Sequence, residues 1–76
     1  MTIYDLKKND LGKVVKINCN PSLKQRLLDL GLTSETIISP VFTSPLGDPT
    51  AYEWRGNIIA IRKKEAKQII VKLPSS

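Results

Sequence analysis

Turn-forming residues recur so often along this chain that no stretch between them can hold more than a short strand or a helix of about three turns. Gly12, Asn20-Pro21, Gly31, Pro40, the segment Ser44-Pro45-Leu46-Gly47-Asp48-Pro49 and Gly56-Asn57 divide it into small pieces. A domain of 76 residues buries only about 60% of the surface its unfolded chain exposes, so each piece must contribute to one shared core. No internal repeat or linker interrupts residues 1–76, and a single domain is expected over that range.

Thr2 and Asp5 stand at capping-box spacing around a short turn. The alternation in Lys13 to Cys19 predicts a half-buried strand with Val15, Ile17 and Cys19 on its inner face and Gly12 in the entering turn. Asn20 is a good N-cap and Pro21 suits a first helical position. Leu23, Leu27, Leu28 and Leu30 then form an apolar stripe, and Gly31 can close the helix, so an α-helix is predicted from Pro21 to Leu30. Thr36 to Thr43 carries β-branched and aromatic bulk, and Pro40 assigns that strand to an edge or a bend. Two prolines and a glycine make residues 44–49 a loop. Ala51 to Arg55 and Ile58 to Arg62 form a predicted hairpin about Gly56-Asn57. A short helical turn from Lys63 to Gln68, a closing strand from Ile69 to Leu73 and a fraying Pro74-Ser75-Ser76 complete the pattern. The fold class is mainly β: a small β-barrel of about five strands with one α-helix, since closure removes exposed sheet edges. Periodicity alone does not separate an SH3-like barrel from an OB-like one.

Composition narrows the function more than it identifies one. There is no histidine, which removes the commonest general base and imidazole ligand, and Cys19 is the single cysteine. No phosphate-cradling Gly-rich loop is present. An enzyme is not expected. No apolar run approaches the roughly 20 residues of a membrane helix, and the N-terminus lacks a secretory pattern, so the expected address is the cytoplasm, without membrane insertion. The net charge of +5 suits either solubility or an acidic partner.

Four places carry functional candidates. Leu46, Gly47, Asp48 and Pro49 can form a self-bonded turn, or a recognition loop that presents Leu46 and Asp48. Tyr52 and Trp54 share one strand face and serve as core or as secondary surface candidates. Cys19 precedes the helix start; a buried inert thiol is preferred over a reactive one. Arg62-Lys63-Lys64 with Lys67 is a solvated basic turn, with Lys63 and Lys67 one helical turn apart, or a surface for an acidic partner.

The blocks Arg26-Leu27-Leu28-Asp29-Leu30-Gly31-Leu32-Thr33, then Ser44 to Pro49, Gly56 to Arg62 and Glu65-Ala66 resemble the ferrous-iron transport protein A (FeoA) family in order and spacing. One departure is Ser34-Glu35, where the family often has glycine in the turn after the Leu30-Gly31-Leu32 block. The resemblance implies an SH3-like barrel and a non-enzymatic accessory of bacterial Fe2+ uptake. It implies a FeoB-type, GTPase-containing membrane transporter as partner, met through the 46–49 loop and Arg62. It requires no cofactor, though association with Fe2+ or another divalent transition metal is compatible with the family's setting. The family also resembles the C-terminal module of iron-dependent repressors, but residues 1–76 carry no helix-turn-helix pattern, and a stand-alone accessory is the expectation. A metal-sensing homo-oligomer and a basic nucleic-acid-binding barrel are the rival functions, nucleic acid being the less favoured partner.

Overall fold

The structure is a computed structural model that describes residues 1–74. A 3-10 turn at Ile3–Asp5 is followed by β1 (Gly12–Ile17), α1 (Pro21–Asp29), β2 (Ile37–Thr43), β3 (Thr50–Trp54), β4 (Asn57–Ile61), α2 (Lys63–Ala66) and β5 (Ile69–Lys72). The strands form one antiparallel sheet in the order β4-β3-β2-β1-β5. Ser75 and Ser76, part of the predicted fraying tail, lie outside the described residues.

Each boundary has a local cause. The Asn20 Oδ1 accepts the Leu23 N–H at 2.9 Å, and Pro21 gives up no hydrogen bond at the first helical position. At the other end Gly31 takes φ +86°, which lets the N–H of Leu32 reach the Leu27 carbonyl and that of Gly31 reach Leu28, both at 2.9 Å. This double closure satisfies carbonyls the helix would otherwise leave bare. The Thr2 N–H donates to Asp5 Oδ2 at 2.8 Å, as the capping-box spacing implied.

Three expectations about the strands need correction, and one that left two alternatives is resolved. A bulge between Val14 and Lys16 breaks the alternation of β1, so Val14 faces the core and Val15 is 48% exposed, while Ile17 stays inside. Gly12 is the first residue of β1 rather than a turn residue. Of the two alternatives for Pro40, the bend is the one found: Ile37 and Ile38 pair with β1, Ser39, Pro40, Phe42 and Thr43 pair with β3, and the register shifts between Pro40 and Phe42. The partner changes between Ile38 and Ser39, and Pro40, which has no N–H to give a ladder, stands at the register shift just after it. The hairpin turn is Arg55-Gly56, one residue earlier than expected, with both residues at positive φ (+47° and +81°) and Trp54 paired with Asn57. That conformation matches the strand twist.

Because β2 serves both halves, the sheet curls over one core. Ile3, Leu6, Val14, Ile17, Leu27, Leu32, Ile38, Tyr52, Trp54, Ile61, Ala66, Ile69 and Val71 form a single cluster from nearly every element. The N-terminus is tied in through the bridge between Thr2 and Ile70 and the Val71 N–H to the Met1 carbonyl at 2.9 Å.

Tyr52 and Trp54, the secondary surface candidates, are instead core residues, each 1% exposed. Large aromatics bury about 150–250 Å² apiece, and a barrel this small needs such volume inside. Both polar tips are satisfied: Tyr52 Oη donates to the Ile3 carbonyl at 3.3 Å and Trp54 Nε1 to the Leu30 carbonyl at 2.9 Å. Asn57 Nδ2 donates to that same carbonyl at 2.9 Å, so the two ends of the hairpin turn cap the end of α1.

Candidate functional site

Backbone chemistry builds the 44–49 loop first. Ser44 donates to the Pro49 carbonyl at 3.0 Å, and Gly47, at φ +87°, donates to the Ser44 carbonyl at 2.7 Å. Asp48 does not bond within its own turn, as the self-bonded reading required. Its Oδ1 accepts the Lys63 N–H at 2.7 Å, and its Oδ2 stands 3.9 Å from Arg62 Nη1. The loop is thus fastened to the start of α2, which brings Leu46, Gly47, Asp48, Pro49 and Arg62 into one region.

Leu46 is the outstanding member of that region. It is 93% exposed at the tip of a loop held at its base by these bonds. Beside it an open cavity of about 330 Å³ is lined by Tyr4, Leu6, Thr43, Gly47, Thr50 and Tyr52. The Nζ atoms of Lys63 and Lys67 each stand 5.4 Å from the centre of the Tyr4 ring. The ring's negative face attracts both ammonium groups, as their spacing of one helical turn permits. Sequence reasoning did not assign Tyr4 to the site, and its signal was weak: a tyrosine in a short N-terminal turn, far along the chain from Lys63.

The site offers contact chemistry. Arg62, Lys63 and Lys67 supply positive charge, Leu46 supplies apolar surface, and Asp48 is occupied in holding the loop. Among the described residues no three of His, Cys, Asp or Glu stand together as a metal ion would need. Cys19 lies apart; burial, with a smaller contribution from Glu65, pushes its thiol pKa up, and its Sγ faces the Glu65 carbonyl at 3.8 Å. The buried, inert reading of that thiol fits, although Cys19 lies just beyond β1 rather than in it. Among the described residues no helix is long and apolar enough to cross a membrane.

Five short antiparallel strands curled over one core, a helix at one end and a projecting anchored loop define a small SH3-like domain. The FeoA domain family matches residues 1–73, and this chain belongs to that family, which is linked to ferrous-iron transport. It superposes on FeoA from Chlorobium tepidum with a TM-score of 0.93 at 31% identity, over 99% of this chain and 71% of the other. A FeoA-like protein of Clostridium acetobutylicum gives 0.83 at 28% identity, over 100% and 88%. The zinc-complexed FeoA of Stenotrophomonas maltophilia, described as a prokaryotic SH3-domain protein and a candidate activating factor of ferrous-iron transport, gives 0.78 at 25% identity, over 95% and 89%. In sequence the whole chain is 28% identical to part of a Porphyromonas gingivalis protein in which Fe(2+) transport protein A is fused to the transporter FeoB. The chain spans 9% of that relative's length.

Proposed function

We propose that this chain is a non-enzymatic cytoplasmic accessory of bacterial Fe2+ uptake that binds a FeoB-type transporter through the 46–49 loop and Arg62. The observation that carries the proposal is the Porphyromonas gingivalis fusion, in which a domain matching this entire chain shares a polypeptide with the transporter. A tether of that kind holds two modules at high effective concentration, which is useful when each has affinity for the other. The loop supports the same reading, because a leucine projected from a fixed base enters an interface with little ordering cost. Binding acts on transport by favouring one conformation of the transporter over another.

Co-purification of the tagged chain with its host's detergent-solubilised FeoB-type transporter tests this. Retention is expected at physiological salt and is expected to be lost in Leu46→Glu. That variant changes the tip of the loop, whereas Asp48→Ala would also detach its base. Absence of retention with a folded transporter, or retention on nucleic acid in its place, overturns the proposal.

A further inference from the structure

We infer that the transporter surface taking this site is an apolar pocket rimmed by carboxylates, with Leu46 filling the pocket and Lys63, Lys67 and Arg62 facing the rim; this rests on the reading given under Proposed function. Two features of the site, the bare leucine and the two lysines with no carboxylate partner among the described residues, call for different chemistry side by side.

Among the described residues Leu46 is one of nine exposed large apolar residues, and at 93% it stands furthest out, on a loop whose base is fixed by the Asp48 bond to Lys63. A fixed leucine in water gains most from a concave apolar site, because the ordering has already been done. Next to it, Lys63 and Lys67 converge on the Tyr4 ring, yet neither has a carboxylate within salt-bridge distance among the described residues. Two ammonium groups one helical turn apart repel one another, and a ring quadrupole answers only part of that charge. A carboxylate between them would answer the rest. Arg62 has an Asp48 oxygen at 3.9 Å, but its side chain is 71% exposed, so most of its donors face outward.

The occupant follows from these two halves taken together. Nucleic-acid phosphates would use the lysines but gain nothing from Leu46. An anionic membrane would use both, but one leucine and a few surface lysines give only marginal attachment, since each lysine contributes about 1 kcal/mol there. A protein pocket with an acidic rim uses every group at once.

The test is titration of the full chain against the purified, solubilised transporter from about 50 mM to about 500 mM salt, with anionic phospholipid vesicles and single-stranded RNA as parallel probes. Leu46→Ala should weaken binding about thirtyfold at any salt, while Leu46→Met should stay within about threefold of the parent. Lys63→Glu with Lys67→Glu should weaken it at least about tenfold at low salt and flatten the salt dependence, whereas Lys24→Glu on α1 should change neither. If the parent chain does not bind the transporter at all, the reading under Proposed function falls and this inference with it. If the parent binds but Leu46→Ala and the double reversal both stay within about twofold of it, the inference alone is overturned. Binding to vesicles or RNA in preference to the transporter, lost in the same variants, overturns it in favour of that ligand.

Discussion

The Asp48 carboxylate accepts the backbone N–H of Lys63 at 2.7 Å, from 15 residues away, and so makes the projecting loop and α2 one unit. Removing the acceptor leaves the Lys63 N–H and the nearby Arg62 without that partner. Asp48→Ala should therefore lower stability by about 1–2 kcal/mol, while Asp48→Asn, which keeps the acceptor oxygen, should recover most of it. Urea unfolding of the two variants checks this, and equal losses would contradict it.

Gly12 is required by proximity rather than by its dihedral angles. A Cβ there would stand 2.9 Å from Leu6 Cδ1 and 3.2 Å from two carbons of Val71. Since Leu6 and Val71 are both core residues, the added methyl forces repacking. Gly12→Ala should cost about 1–3 kcal/mol, read as a lower thermal midpoint.

Glu35 sits at φ +72°, in the turn where the FeoA resemblance points to glycine. Its contact with Lys13 is 3.8 Å long and its side chain is 80% exposed, so the ion pair contributes little. Glu35→Gly removes the backbone strain against a smaller entropic loss, and a net gain of about 0.5 kcal/mol is expected. A higher urea midpoint with unchanged slope would support it; a lower midpoint would contradict it.

Burial raises the Tyr52 phenol from an ordinary 10.0 to about 12. The folded chain therefore keeps a proton that the unfolded chain releases, and the stability this contributes is complete below pH 10 and lost as pH rises from 10 towards 12. Stability measured across that window should fall more steeply for the parent than for Tyr52→Phe. Parallel curves would show that Tyr52 does not carry the difference.

The sequence was most legible where one residue type has one job. Asn20, Pro21 and Gly31 mark α1 because a cap, a missing donor and a left-handed site have strong residue preferences. It was least legible where register decides. In KVVKI two adjacent valines fit either face, and the bulge after Val14 selected the phase opposite to simple alternation for Val15. Arg55 at φ +47° hid the hairpin turn, because the expected signal was a glycine followed by an asparagine. In the candidate site, the proximity of Arg62 to the 46–49 loop was anticipated from the family resemblance. The Asp48 bond to Lys63 and the convergence of Lys63 and Lys67 on Tyr4 are long-range contacts that no local pattern encodes.

The most direct measurement of how this chain meets its partner is an amide spectrum of the isotope-labelled chain, recorded alone and with the solubilised FeoB-type transporter. Signals of Tyr4, Leu46 to Asp48 and Arg62 to Lys67 should broaden first, while those of Val15, Lys24 and Leu28 stay sharp. Broadening centred on Val15 and Leu28, or no change with a folded transporter, would contradict docking through the loop.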